Sequence, residues 1–146
     1  MKTINLSSNP TASFSVSQSI IWLNRLALFI VFFWFGFLKI LEISPAEGLV
    51  THLHEATIAP FIAIDKFLLL LGVVECFIGI LWLIPQLTKL AFVIFLFQIF
   101  TTFLPLLFLP KDTWQNMLVL TLTGQYIIKN VVLIASAYTV FKATKS

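Results

Sequence analysis

Charged side chains are scarce in this chain of 146 residues. Only 10% of the residues are Asp, Glu, Lys or Arg, whereas 60% are hydrophobic and the mean hydropathy is +1.03. Soluble domains average about 25% charged and about 45–50% apolar residues. This composition excludes a soluble globular domain and makes the lipid bilayer the expected surroundings. The nine basic residues are scattered and form no basic stripe, which excludes nucleic acid as a partner.

Cysteine is nearly absent as well. The single residue, Cys76, excludes an intramolecular disulfide, a CxxC redox pair and an all-cysteine metal site, and we interpret it as a packing residue. The two histidines of "THLHE" at 51–55 offer, with Glu55, too few ligands for a tetrahedral site, so no metal is predicted. The sequence also lacks a nucleophile–base set and a phosphate-binding loop. These absences disfavour a stand-alone enzyme, and we expect no intrinsic cofactor.

The chain contains four long apolar segments. A helix crosses a hydrocarbon core of roughly 30 Å in about 20 residues. Four segments meet that length, at 20–41, 66–84, 87–109 and 116–141. Because lipid cannot satisfy open backbone groups, each segment is predicted to be helical. The predicted fold is an all-α integral membrane four-helix bundle, a single domain over 20–141, with Pro105 kinking or ending the third span.

The links between these spans differ in length. Those after the second and third spans are short, which predicts antiparallel neighbours. The link at 42–65 is longer, and it predicts a short interfacial or re-entrant helix between spans one and two, with Glu47 in its first turn after Ser44. Residues 1–19 are predicted to form a polar tail and residues 142–146 a basic tail.

Lysine and arginine positions predict the orientation. With four spans, both termini and the middle loop lie on one side, which holds basic residues and no acid: Lys2, Arg25, Lys89, Lys142 and Lys145. The other side holds three lysines beside five acids. The positive-inside rule then places both termini in the cytoplasm.

Two charges fall near the middle of the predicted spans. Glu75 lies near the middle of the second span and Lys129 at the centre of the fourth, where an isolated charge costs between about 2.5 and 17 kcal/mol. Their equal depth predicts that they pair inside the bundle, or that one changes its protonation. Nearby polar residues complete a predicted buried network: Gln98, Gln125, Tyr126 and Asn130. Small residues allow close helix packing, which is assigned to Gly36, Gly72, Gly79 and Gly124.

Arg25 and Lys39 lie on one stripe of the first span, near its opposite ends. Two interpretations stay open for them. They are anchors whose charges snorkel to the membrane surfaces, or they belong to the buried polar network. Glu42, three residues beyond Lys39, is a candidate partner for that lysine.

Three blocks carry a resemblance to a known family: "RLALFIVFFWFGFLKILEISPAEGL" at 25–49, "GVVECFIGIL" at 72–81 and "LTGQYIIKNVVLIASA" at 122–137. In order and spacing they resemble the signature blocks of the DoxX-like family, and related YkgB-like reactive-chlorine-resistance membrane proteins share much of this pattern. The similarity covers nearly all of 20–140. The matching positions are Arg25, Gly36, Lys39, Gly72, Glu75, Gly79, Gly124, Gln125, Tyr126, Lys129 and Asn130.

The resemblance implies a four-span protein of the bacterial inner membrane. Some family members are similar to a subunit of a thiosulfate:quinone oxidoreductase, and others are associated with oxidative-stress resistance. It therefore implies an auxiliary component of a redox or stress assembly, in which Glu75 and Lys129 bind a quinone-like lipid and a partner protein supplies electrons. If the chain belongs to an enzyme, it resembles a quinone-linked oxidoreductase subunit.

Three further readings stay open. The same charges would serve a small-solute or proton pathway through the bundle. Alternatively, they only set helix packing in a structural membrane scaffold. The many Phe residues are also compatible with a homo-oligomer.

Overall fold

The computed structural model describes residues 17–144, of which 80% are helical. The helices are α1 (Gln18–Ile40), α2 (Glu47–Thr57), α3 (Ile64–Trp82), α4 (Thr88–Phe103), α5 (Pro105–Phe108), α6 (Pro110–Thr113) and α7 (Leu122–Thr144). A 3-10 turn at Pro85–Leu87 precedes α4, and an antiparallel hairpin of β1 (Trp114–Asn116) and β2 (Val119–Leu120) precedes α7. The predicted helical character is confirmed. Residues 1–16 and 145–146, which include most of the predicted polar tail and the end of the basic tail, lie outside the described residues.

Three helical segments are long and apolar enough to cross a membrane: Gln18–Ile40, Pro85–Phe108 and Leu122–Thr144. Large apolar side chains cover their outer faces, and Leu23, Phe97 and Val132 are 66%, 71% and 69% exposed. Apolar surface of this extent suits contact with lipid rather than water. By length and composition, these helices therefore fit a membrane protein. The 19-residue α3 differs from these three segments because it carries Asp65, Lys66 and Glu75.

Glycines bring α1 and α3 into the most extensive helix contact of the described chain. A Cβ added to Gly36 would lie 2.6 Å from the carbonyl oxygen of Gly72. A Cβ added to Gly79 would lie 2.9 Å from the backbone nitrogen of Phe33. The two helices therefore run antiparallel with their backbones touching, which residues larger than glycine would prevent.

A shared apolar core joins α1 and α3 to α4 and α7. Phe95 of α4 packs edge-on against Phe32 of α1 and Trp82 of α3, with ring centroids 5.4 and 5.7 Å apart. Fully buried aliphatic side chains from α1, α3 and α7 surround these rings, among them Leu28, Ile78, Ala137 and Val140. Buried side chains of the four long helices thus meet in one apolar core.

The predicted short helix of the 42–65 link is α2, with Glu47 in its first turn. His54 is buried: its Nε2 lies 2.6 Å from the Ile62 carbonyl oxygen, and its ring is 5.4 Å from that of Phe67. On the exposed side, His52 Nδ1 lies 3.1 Å from a carboxylate oxygen of Asp112 in α6. These contacts hold α2 across the end of the molecule where α5 and α6 lie.

The third apolar segment breaks at Pro105, as its position predicts. Helix α4 ends at Phe103 and α5 begins at Pro105, because proline has no N–H to continue the hydrogen-bond ladder. The hairpin that follows turns through Met117 and Leu118, and Leu118 takes a positive φ of 73°. Residues that the apolar pattern assigns to the fourth span are therefore strand and turn.

Helix α7 starts at Leu122, six residues later than the predicted start at 116. Thr121 marks the start, because its Oγ1 accepts a hydrogen bond of 3.1 Å from the N–H of Gly124. The same hydroxyl donates to the Asp112 carbonyl oxygen at 2.7 Å. Gly124 also has to be small, since a Cβ there would collide with the Thr113 carbonyl oxygen. This later start places the residues of the helix closer to its first turn than the predicted span does.

Candidate functional site

Glu75 of α3 and Lys39 of α1 form a buried ion pair. Lys39 Nζ lies 2.6 Å from Glu75 Oε2, and the two side chains are 6% and 10% exposed. Both residues lie beside the glycine contact, because a Cβ at Gly72 would be 3.1 Å from the Cβ of Lys39. The close approach of the two backbones therefore places the ammonium within reach of the carboxylate.

The end of α1 explains the position of Lys39. The Ile43 N–H donates to the Leu38 carbonyl at 3.1 Å, and the Glu42 N–H donates to the Lys39 carbonyl at 3.2 Å. This is the Schellman arrangement, with Glu42 in the left-handed conformation at φ 58°. The chain turns away after Ile40, so Lys39 stays on the face that packs against α3. Glu42 is exposed and does not pair with Lys39, which corrects the candidate pairing.

Gln98 of α4 completes the buried centre. Its Nε2 donates to Glu75 Oε1 at 3.3 Å, and its side chain is buried. The carboxylate thus accepts from two helices, through a short bond to Lys39 and a longer one to Gln98. We call Lys39, Glu75 and Gln98 the polar centre. It joins α1, α3 and α4 inside the molecule, where apolar side chains fill the rest of the interior.

Lys129 is not part of the polar centre. It is exposed, and its Nζ lies 4.8 Å from the centroid of the Tyr126 ring on the same helix. Since α7 starts at Leu122, Lys129 lies about 10 Å from that end rather than at the helix centre. A helical side chain points toward the N-terminus, which directs this ammonium to the nearer end of α7. The predicted pair of Glu75 with Lys129 is therefore corrected to Glu75 with Lys39.

The other polar residues predicted on the fourth span differ in whether they are exposed or partly buried. Gln125 and Tyr126 are exposed and face away from the centre. Asn130 is half-buried, and its Nδ2 donates to Thr102 Oγ1 of α4 at 3.4 Å. Of the predicted network, the structure brings together Glu75, Lys39 and Gln98, and it leaves Gln125, Tyr126 and Lys129 on the surface.

Arg25 is buried at the opposite end of the α1–α3 contact and is only 3% exposed. Its Nη1 donates to the Trp82 carbonyl at 2.9 Å, and its Nη2 donates to Thr88 Oγ1 at 2.7 Å and Thr144 Oγ1 at 3.4 Å. Lys39 is also buried, so both side chains are hydrogen-bonded within the protein, which favours the buried-network interpretation of these two residues. The carbonyl end of α3 and the starts and ends of neighbouring helices hold Arg25 inside.

Several polar contacts have no counterpart in the sequence-based network. Ser136 of α7 donates to Asn24 Oδ1 of α1 at 2.6 Å, and Thr88 and Thr144 meet at Arg25. The sequence gives only a weak indication of these contacts, namely single Ser, Thr and Asn residues at helix ends or within apolar helices. Their partners lie far apart along the chain, so only the packing reveals them.

Comparison with known protein families, with curated proteins and with solved structures finds no match to this chain. The resemblance to the DoxX-like family stays a prediction.

Proposed function

We propose that α3 crosses the membrane together with the three more apolar segments, so that the protein is a four-span helical bundle. Asp65 and Lys66 lie in the first turn of α3, and both side chains are exposed at this end of the helix. Glu75 is then its only interior charge, and that charge is paired with Lys39. In this arrangement α2 is an interfacial helix, and both termini lie in the cytoplasm of a bacterial cell, at its inner membrane.

Within that bundle, the proposed function is that of an auxiliary, non-catalytic component of a membrane redox or oxidative-stress assembly, similar to DoxX-like proteins. The polar centre would bind the head group of a quinone-like lipid, and a partner protein would supply electrons. The observation that carries this proposal is the buried ion pair of Lys39 and Glu75 with the amide of Gln98 beside it.

The donors and acceptors of the centre suit such a head group. Lys39 and Gln98 present N–H donors for a quinone carbonyl, and Glu75 presents acceptors for a quinol hydroxyl. The bond from Gln98 to Glu75 Oε1 is long, at 3.3 Å, so this oxygen is the weaker held of the two. Stability alone gives little reason for such a pair, because well-packed apolar residues are often at least as stabilising as a buried ion pair.

A structural role is the second candidate, and one observation favours it. Lys39 and Glu75 contact each other directly at 2.6 Å, with no gap between them. A head group would have to separate this contact or bind beside it. In the structural alternative, the pair fixes the register of α1 against α3 and binds nothing.

Quinone content distinguishes these roles. The full chain and its Glu75→Gln variant are purified from membranes, extracted, and assayed for quinone per mole of folded protein. We expect quinone with the unaltered chain and a loss of about tenfold or more in Glu75→Gln, the effect of removing a hydrogen bond to a charged group. The matched control is Lys129→Met, which removes an exposed charge outside the polar centre and should leave the quinone content unchanged.

Two results decide against the head-group proposal. One is the absence of quinone from the unaltered chain, and the other is equal quinone in Glu75→Gln and Lys129→Met. The structural role predicts, in addition, that membrane abundance falls in Lys39→Met and returns when Glu75 is replaced as well by Leu. Oxidant survival of cells carrying these variants, normalised to protein abundance, then tests the link to stress resistance.

A further inference from the structure

The Arg25 guanidinium carries a buried charge with no acidic partner. Its three hydrogen bonds go to one carbonyl and two hydroxyls, all of them neutral groups. In the part of the chain that the structure describes, the carboxylates that form ion pairs are Glu75 and Asp112, and neither pairs with Arg25. A buried charge is costly unless an opposite charge compensates it.

The surrounding helices supply no full opposite charge. Helix C-termini carry a partial negative charge and N-termini a partial positive charge of similar size. Two C-termini, of α3 and α7, and two N-termini, of α1 and α4, meet at this end of the molecule. Their contributions oppose one another. Residues 1–41, residues 76–111 and the residues after 112 contain no Asp or Glu. These segments therefore offer no acidic side chain to Arg25.

A cavity of about 190 Å³ opens beside the guanidinium. The first turns of α1 line one side, the Pro85 turn another, and the last turn of α7 the third; the lining residues are Gln18, Ile21, Trp22, Arg25, Pro85, Ala143 and Thr144. Arg25 uses three of its five N–H groups within residues 17–144, which leaves donors for a ligand. The Trp22 ring lies over the guanidinium, 5.9 Å from its centroid to Cζ.

The surface next to this cavity is apolar. Trp22, Leu23 and Leu26 on α1 are 48%, 66% and 47% exposed. A ligand with a small anionic group and long apolar chains would fit both parts, the group in the cavity and the chains along α1. Arginine is well suited to phosphate because its planar fork can donate two parallel hydrogen bonds. Tryptophan is typical of the membrane–water interface, where lipid phosphates lie.

We propose that this cavity, the Arg25 site, binds the phosphate of an anionic membrane lipid. The lipid phosphate compensates the charge of Arg25 at the end of the bundle that holds the start of α1 and the end of α7. Binding there ties these two helices to the α3–α4 turn. The inference needs the membrane setting, but it is independent of what the polar centre binds.

Competition between two lipids tests the Arg25 site. The full chain in detergent is given equal amounts of phosphatidylglycerol and phosphatidylcholine, and bound lipid is counted by native mass spectrometry. We expect phosphatidylglycerol to be preferred by about tenfold, because the choline cation of phosphatidylcholine already neutralises its phosphate, and Arg25→Gln to lose that preference. Lys89→Gln and Lys142→Gln are matched controls, because both lysines are exposed and lie outside the cavity lining; they should keep it.

A second variant protects the test against a folding defect in Arg25→Gln. Ala143→Phe fills the cavity from the α7 side and leaves the guanidinium in place. It should also lose the preference for phosphatidylglycerol. Equal preference in the unaltered chain, Arg25→Gln and Ala143→Phe would overturn the proposal, as would no preference in the unaltered chain. Inorganic phosphate is titrated in a separate arm, and if it displaces the lipid at similar concentration, free phosphate rather than lipid is the ligand.

Discussion

Lys39 and Lys129 have the same side chain and opposite surroundings. Lys39 is buried and contacts a carboxylate at 2.6 Å, whereas Lys129 is exposed and lies over a tyrosine ring. The cost of a charge in an apolar interior depends on its partner, so only Lys39 combines burial with a compensating charge. At the residue scale, the charge of Glu75 is therefore compensated by the lysine that faces it in the packed structure, which is Lys39.

Replacing Lys39 by Met should destabilise the protein strongly. The substitution leaves the Glu75 carboxylate buried without its cation, which typically costs about 3–5 kcal/mol. The free energy of unfolding can be measured by titrating the detergent-solubilised protein with dodecyl sulfate and following helix content by circular dichroism. Lys129→Met, a matched change at an exposed lysine, should alter it by less than about 0.5 kcal/mol.

The double variant Lys39→Met, Glu75→Leu sharpens this prediction. Because both charges are gone, it should recover most of the stability that Lys39→Met loses. Equal stability of Lys39→Met and Lys129→Met would contradict the assigned pair.

At the scale of helices, the contact between α1 and α3 depends on the absence of side chains. Gly36, Gly72 and Gly79 lie on it, and an added Cβ would come within 3 Å of the facing backbone at each. Helix association in lipid depends on close van der Waals packing, since lipid tails are as apolar as the helices. The same close approach sets the distance between Lys39 and Glu75, so packing and polar centre are coupled.

Gly36→Ala should separate the two helices. Its new methyl group would lie 2.6 Å from the Gly72 oxygen and 2.7 Å from the Cys76 nitrogen, and neither backbone atom can move aside easily. Overpacking of this kind costs about 1–3 kcal/mol of unfolding free energy. Gly48→Ala on α2 is the control, because nothing lies within 4 Å of its added Cβ; it should stabilise by about 0.5–1 kcal/mol. Equal effects of the two substitutions would argue against the close backbone contact.

The end of α1 gives a second prediction for this scale. Glu42 has a φ of 58°, a conformation that costs a residue with a Cβ about 1–2 kcal/mol. Glu42→Gly removes this cost at some expense in chain entropy, so it should raise the unfolding free energy by about 0.5–1 kcal/mol. Glu55→Gly, the same change at an exposed position inside α2, should lower it by a similar amount. A decrease with both substitutions would refute the Schellman end.

For the whole molecule, polar groups are distributed unevenly between the two ends. One end holds Arg25 with the exposed Lys89 and Lys142, and no acidic side chain accompanies them in sequence. The other holds α2, α6 and the hairpin with most of the acids. The positive-inside rule predicts from this asymmetry that the basic end lies in the cytoplasm.

Thiol labelling tests both the orientation and the crossing of α3. In a Cys76→Ser background, single cysteines replace Phe61, Met117 or Gln86, all of which are exposed. In intact spheroplasts, an impermeant maleimide should label positions 61 and 117, and position 86 only after permeabilisation. If α3 did not cross, positions 61 and 86 would lie on one side and label together. Labelling of position 86 alone would reverse the orientation.

Much of the architecture can be predicted from local sequence. The apolar runs predict helices because lipid leaves no other partner for the backbone, and Pro105 predicts the break because it lacks an N–H. The face that α3 presents also follows from spacing, since Gly72, Glu75 and Gly79 recur every three or four residues. The start of α7 does not follow, because "MLVLTL" at 117–122 is equally apolar in a turn, a strand or a helix.

By itself, the sequence determined that the chain is mostly helical, that several segments are long and apolar enough to cross a membrane, and which residues each helix can place on one face. These properties depend on composition and on a period of 3.6 residues. The tertiary structure alone decided how far each helix is shifted along its neighbours. That shift brings Lys39, near the end of α1, beside Glu75, inside α3, and it moves Lys129 away from the centre. The physical reason is that glycine contacts and the turns at the helix ends set these shifts. The glycine contacts join residues that lie far apart in the chain.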